Sequence, residues 1–98
     1  MDESDNQSDE MHRQVDWLTA ADVSILEFAH TARTPRGTPA ILRPATIADN
    51  TGHARKYVGD RCRELADRDL VERVGRGKYR LADRGERLMT GDIRPDEL

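Results

Sequence analysis

One stretch of the chain carries side chains that suit hydrogen bonding to the edges of nucleic-acid bases. It contains Arg55, Lys56, Tyr57, Asp60 and Arg63. Arginine and lysine donate to the O6 and N7 atoms of guanine, and an aspartate accepts from the N4 amino group of cytosine, each worth roughly 1–3 kcal/mol of discrimination between bases. On a helix these side chains would occupy the first turns and the outer face, so the pattern predicts a surface that binds base edges.

An ordinary solvated helix face would explain the same residues. Lys56 and Asp60 are four positions apart, as are Arg63 and Asp67, which is the spacing of ion pairs within a helix. The ring of Tyr57 lies at the border of the apolar face, where it either points its hydroxyl at a phosphate or packs as a half-buried structural residue. The choice depends on the elements around this helix.

A second group of cations surrounds a glycine-containing turn. Its members are Arg73, Arg76, Lys78 and Arg80, with glycine on both sides of Arg76. A short basic hairpin tip suits contact with phosphates or with a minor groove. The glycines would serve equally well in a bulged or type I′ turn whose only role is backbone geometry.

Patterns for catalysis and metal binding are missing from the sequence. The three histidines share no ligand spacing with Cys62, which is the single cysteine. No nucleophilic triad or paired catalytic carboxylates stand out, and the glycine-rich turn precedes a strand rather than a phosphate-binding helix. We therefore expect a non-enzymatic protein without metal, cofactor or small-molecule substrate. Cys62 is expected to pack as a small hydrophobe, and His53 to cap the helix that follows it.

Capping and hydrophobic periodicity predict the elements that position these residues. Thr19 and Asp22 have capping-box spacing and open a helix over residues 20–32. A Pro- and Gly-rich loop follows at 33–40. Two alternatives are open for this loop: it contacts DNA through Arg33 and Arg36, or it makes no contact with a partner. The remaining predicted elements are a short strand at 40–42, helices at 44–50 and 54–68, a hairpin at 70–81 and a helix at 83–89.

The order of these elements is that of a winged helix-turn-helix. Ala48, Gly52 and Val58 have the required spacing, with a small residue where two helices touch, a turn glycine and an aliphatic residue that locks the second helix. We therefore predict an α+β, mainly α fold with a C-terminal β-hairpin wing and a short final helix. The apolar stripe of its second helix would comprise Ala54, Val58, Cys62 and Leu65, leaving the charged side for the major groove.

Composition predicts one small domain between acidic ends. The chain has 98 residues, 36% of them hydrophobic, and a net charge of −3, with five acids and no base in residues 1–10. We predict a disordered acidic tail at 1–13, the folded domain at 14–91 and a flexible acidic tail at 92–98. The body at 11–91 is then mildly basic. No apolar run suits a membrane span or a signal peptide, so a cytoplasmic location is expected.

Lysine is scarce among the basic residues. Only two of the 16 are lysines, and 36% of all residues are charged. Carboxylates keep a protein hydrated in molar salt, where the apolar stem of lysine is a disadvantage. The composition favours salt adaptation, although a GC-rich genome would produce the same bias.

Residues 15–89 resemble the small haloarchaeal winged-helix proteins and the phage repressor-like transcription regulators. The resemblance is carried by residues 57–58, 61–62, 64–67, 70–77 and 79–81, together with 15–18 and 25–28 upstream. It implies sequence-specific transcriptional regulation in a halophilic archaeon, with DNA contacts at Arg55, Lys56, Tyr57, Arg61 and Arg76. Thr51 and His53 depart from the aliphatic residues usual at these positions in the family.

The expected partners are double-stranded DNA and a second copy of the chain. A homodimer would place two recognition helices in successive major grooves, about 34–36 Å apart. A body making ~6 phosphate contacts would lose affinity with a log–log salt slope near −5. The alternative from another class is a winged helix that binds a protein through the same helix face and wing, without DNA.

Overall fold

The structure, a computed structural model, describes residues 15–98. The predicted tail at 1–13 lies outside the described residues. The helices are α1 (Ala20–Thr31), α2 (Pro44–Thr51), α3 (Arg55–Asp67) and α4 (Asp83–Thr90), the strands are β1 (Val71–Gly75) and β2 (Lys78–Leu81), and a 3₁₀ turn spans Pro95–Glu97. The predicted fold class is confirmed: mainly helical, with one antiparallel hairpin between α3 and α4.

The N-terminus of α1 is closed by the predicted capping box. The amide of Asp22 donates to the Thr19 hydroxyl at 3.0 Å, and the amide of Thr19 donates to a carboxylate oxygen of Asp22 at 3.0 Å. These two bonds satisfy amides that a helix start otherwise leaves without partners. Asp22 is buried, which the sequence pattern does not show.

The junction between α2 and α3 is the expected tight turn. Gly52 ends α2 at φ 81°, a left-handed conformation that glycine adopts without a Cβ clash, and its amide donates to the Ala48 carbonyl at 2.9 Å. Ala48 is buried beneath the turn. The backbone at this turn therefore has the geometry that the helix-turn-helix spacing in the sequence predicts.

The apolar stripe of α3 forms the centre of the core. Val58, Cys62 and Leu65 are fully buried, packed in one cluster with Ile25 and Leu26 of α1. Ala54 was predicted to extend the stripe, but it is exposed, because it is the extended N-cap residue and lies outside the helix. Burial of this stripe fixes which side of α3 faces solvent.

The predicted strand at 40–42 is reduced to a single bridge. Leu42 pairs with Tyr79 through two backbone hydrogen bonds of 2.7 and 2.8 Å, while Ile41 remains 56% exposed. The preceding loop is tied to α4, since Arg33 donates to Glu86 at 2.6 Å. The side chain of Arg33 is therefore bound to another residue of the fold, whereas Arg36 is exposed to solvent.

The C-terminal residues return to the core. Gly91 ends α4 in a left-handed conformation. Pro95 is buried, and Ile93 and Leu98 pack against the core cluster. These contacts lie within the segment predicted as a flexible tail, and its flexibility stays a prediction.

Gly85 marks a close approach between α4 and the start of the hairpin. A Cβ atom at this position would lie 2.1 Å from the carbonyl oxygen of Leu70, which also accepts from the Ala82 amide at 3.0 Å. We expect Gly85→Ala to push α4 outward and to lower the free energy of unfolding by about 2 kcal/mol, as overpacking of a rigid contact does. Urea denaturation of the folded domain measures the change.

Gly59 provides the matched control on α3. A Cβ atom there meets nothing within 4 Å, and its φ does not lie in the left-handed region. Gly59→Ala is therefore expected to stabilise the domain by roughly 0.5–1 kcal/mol through helix propensity. Equal effects of the two substitutions would contradict the proposed close contact at Gly85.

Candidate nucleic-acid interface

The outer face of α3 presents most of the predicted base-contacting residues to solvent. The exposed side-chain fractions are 69% for Arg55, 89% for Lys56, 64% for Arg63 and 46% for Asp60. Tyr57 is also exposed. Because Val58, Cys62 and Leu65 face the core, the helix has one side for packing and one side free for a ligand.

These cations are paired with carboxylates. The Nζ of Lys56 lies 3.7 Å from one oxygen of Asp60, and Arg63 donates to the other oxygen. Arg55 contacts Asp49 of α2 at 3.4 Å. The predicted Lys56–Asp60 pair is therefore present, but Arg63 pairs with Asp60 instead of Asp67.

Arg61 does not belong to this outer face. Its Nε and Nη2 atoms each donate to a carboxylate oxygen of Asp22 at 2.8 Å, and Nη2 also donates to the carbonyl of Trp17 at 3.2 Å. The hydrogen bond to Asp22 is the main reason that the pKa of Arg61 is raised. The structure therefore places the Arg61 guanidinium beside a buried carboxylate and not on the outer face, because position 61 borders the buried stripe; a DNA contact by Arg61 stays a prediction.

The hairpin presents a second basic surface. The strands are joined through Arg76 and Gly77, the latter at φ 66°, and the pairing is irregular between Arg73 and Gly75. Arg80 contacts Glu72 across the strands at 3.1 Å. Within residues 15–98, no carboxylate lies within 4.0 Å of the three remaining predicted cations, which are Arg73, Arg76 and Lys78.

Arg43 is a basic residue near the hairpin that the sequence did not single out. It follows Leu42, whose antiparallel bridge to Tyr79 places Arg43 opposite Lys78. Arg43 is exposed, and the described part of the chain offers it no acidic partner. Only the long-range bridge reveals this neighbour, since 35 positions separate Arg43 from Lys78 along the chain.

A family model described as winged helix-turn-helix phage repressor matches residues 11–98 of this chain. The chain belongs to the winged helix-turn-helix phage repressor family. It is also similar to the "Repressor protein" of Halobacterium phage phiH, with 40% identity over 93 residues that cover 90% of this chain and 97% of the relative. No solved structure matches it. The predicted resemblance is confirmed.

Within this phage repressor-family chain, α2, Gly52 and α3 form the helix-turn-helix, and β1 and β2 form the wing. His53 was expected to cap α3, but no side chain caps that helix, because Ala54 is the N-cap residue. The His53 ring instead stands edge-on to the ring of Tyr57, with centroids 6.5 Å apart. Tyr57 is thus held against a neighbouring ring while it remains accessible.

Cys62 has the environment of a packing residue. It is fully buried, and this burial raises the pKa of its thiol to about 11, so the thiol stays protonated near neutral pH. Among the described residues, no group of His, Cys, Asp and Glu is arranged to hold a metal ion. No helix in residues 15–98 is long and apolar enough to cross a bilayer.

Proposed function

We propose that this phage repressor-family protein is a sequence-specific DNA-binding regulator that represses transcription. In this proposal α3 enters the major groove, and the wing turn at 75–78 contacts the backbone or the minor groove. The observation that carries it is the division of α3 into two faces: three residues are fully buried while three cations expose well over half of their side chains.

The contact set follows from the solvent-accessible cations of the two elements. Arg55, Lys56 and Arg63, with Tyr57 and Asp60, supply the contacts of α3, and Arg73, Arg76, Lys78 and Arg80 supply those of the wing. Arg61 is left out because Asp22 holds it. Arg43 is added beside Lys78, where it would contact a phosphate.

Salt adaptation and the acidic ends fit this function together. The relative from a Halobacterium phage supports a high-salt setting, in which the phosphate-dependent part of DNA affinity is weak. Specificity then rests on base-edge contacts and on shape. We propose that the acidic residues at 1–10 and 92–98 reduce binding to unrelated DNA.

Selection of bound duplexes from a random pool is the direct test. Fluorescence anisotropy of the recovered duplex and of a random duplex, at ~0.2 M and ~2 M salt, then gives affinity and specificity. A saturable preference for the recovered sequence is the expected result. If no duplex binds at either salt concentration, the DNA-binding proposal fails and a protein-interaction role takes its place.

A second copy of the chain is part of the proposal. If the protein binds as a dimer, the selection should recover a near-palindromic sequence whose half-sites are one helical turn apart. Sedimentation of the protein with and without that duplex measures the stoichiometry. A single asymmetric half-site bound by one chain would overturn the homodimer.

Substitutions in α3 and in the wing are expected to act differently. Lys56→Ala or Arg63→Ala should lower the preference for the recovered sequence by about tenfold, because a base-edge contact is worth roughly 1–3 kcal/mol. Arg76→Ala should weaken binding to recovered and random duplexes by equal factors, since a phosphate contact carries no sequence information. Anisotropy titrations on both duplexes measure the difference.

Arg87→Ala is the control, because Arg87 is an exposed cation of α4 outside both proposed contact regions. It should change neither affinity by more than about twofold, the scale of a general charge effect. Equal losses on both duplexes for the α3 and wing variants alike would contradict the assigned roles.

A further inference from the structure

Asp60 is the one acid on α3 that contacts two cations of the proposed interface. One carboxylate oxygen faces Lys56 at 3.7 Å and the other accepts from Arg63, so both oxygens are engaged within the described structure. The other acids of α3 are placed differently. Glu64 accepts from Arg68 at 2.9 Å, and Asp67 has no cation within 4.0 Å in residues 15–98.

Stability does not account for this arrangement. All three side chains are exposed, and exposed ion pairs contribute little to folding because water and salt screen them. These ion pairs affect DNA binding more than they affect folding. A carboxylate on the groove-facing side of α3 repels phosphates, and it holds both cations away from them.

The hydrogen-bonding chemistry of Asp60 determines which base pair can offset this unfavourable effect on DNA binding. A carboxylate only accepts hydrogen bonds, whereas the major-groove edge of guanine offers only acceptors and that of thymine offers an acceptor and a methyl group. The amino groups of cytosine and adenine can each replace a cation on Asp60, but only cytosine is paired with guanine. The cation released in this way can donate to O6 and N7 of the guanine in the same base pair.

Resting on the proposed function, we infer that Asp60 is a specificity-determining residue that selects a C·G base pair. Asp60 keeps Lys56 and Arg63 paired and away from the DNA backbone. One of the two cations becomes free where a cytosine amino group replaces it on the carboxylate. The discrimination between base pairs comes from hydrogen bonds to base edges, which do not depend on the long-range charge interactions that salt screens.

The test compares Asp60→Asn with Asp67→Asn. Both substitutions remove one negative charge from α3 and keep the side-chain shape, but only Asp60 contacts the cations. Anisotropy is measured with the wild-type protein and both variants, on a random duplex and on a selected duplex. A series of selected duplexes in which single C·G pairs are changed to T·A completes the set.

We expect Asp60→Asn to bind the random duplex several-fold more tightly and to lower the selected-to-random affinity ratio about tenfold, the equivalent of one base contact. At one C·G position, the change to T·A should lower the DNA affinity of the wild type and of Asp67→Asn about tenfold. The same change should alter the affinity of Asp60→Asn little. Asp67→Asn should keep the wild-type ratio.

The possible failures are distinguishable. If the wild type binds a selected duplex but Asp60→Asn behaves like Asp67→Asn, the role of Asp60 is wrong and the proposed function stands. If Asp60→Asn weakens binding to the random duplex, the inference is also overturned. If the wild type binds no duplex, the proposed function fails and the inference fails with it.

Discussion

The DNA affinity of this phage repressor-family protein is expected to fall about 4,000-fold for each tenfold rise in salt, a log–log slope of about −3.6 for each bound chain. Four cations, namely Arg43 and the wing residues Arg73, Arg76 and Lys78, have no carboxylate within 4.0 Å in residues 15–98 and can each neutralise a phosphate fully. The other cations proposed as contacts on α3 and the wing are paired with carboxylates. The sequence alone suggested ~6 phosphate contacts and a slope near −5, because residue spacing does not decide which of the cations are paired.

Anisotropy titrations of a random duplex over a range of salt concentrations measure this slope. Replacing Arg73, Arg76 or Lys78 singly by glutamine should reduce its magnitude by about one. Lys56→Gln is the control, since Lys56 shares its charge with Asp60 and should change the slope less. A wild-type slope near −6, or wing variants with an unchanged slope, would contradict the assignment of the phosphate contacts to the wing.

Removal of Arg61 is expected to be the most destabilising change to a charged residue of α3. Asp22 is fully buried, and Arg61 supplies two of its hydrogen bonds at 2.8 Å. Arg61→Ala leaves that carboxylate buried without its charge partner, a change that typically costs 3–5 kcal/mol. At about 4–8 °C for each kcal/mol in a domain of this size, the expected fall in Tm exceeds 10 °C.

Arg63→Ala is the matched control for Arg61→Ala. It removes the same side chain two positions along the helix, where the guanidinium is exposed and its pair with Asp60 is screened by solvent. Thermal and urea unfolding should place it within about 0.5 kcal/mol of the wild type. A stable Arg61→Ala variant with lost DNA binding would restore Arg61 to the DNA contacts and would falsify its role inside the fold.

Local patterns were sufficient to predict the elements of this protein. The Thr19–Asp22 capping box, the left-handed Gly52 and Gly91, and the apolar spacing of Val58, Cys62 and Leu65 all act over a few residues. Signals of this range are visible in the sequence because each depends on residue type and separation alone. Together with the order of elements they were enough to predict the winged helix-turn-helix and which face of α3 is free.

The tertiary structure decided which partner each charged residue takes. Arg61 and Arg63 are the same residue type two positions apart, yet one is bound to buried Asp22 and the other lies in solvent beside Asp60. Arg43 beside Lys78 and Gly85 against Leu70 likewise arise from chain segments that are distant in sequence. Periodicity gives the direction of a side chain relative to its own helix. The partner that it meets is set by how the elements pack, and therefore only the folded chain shows it.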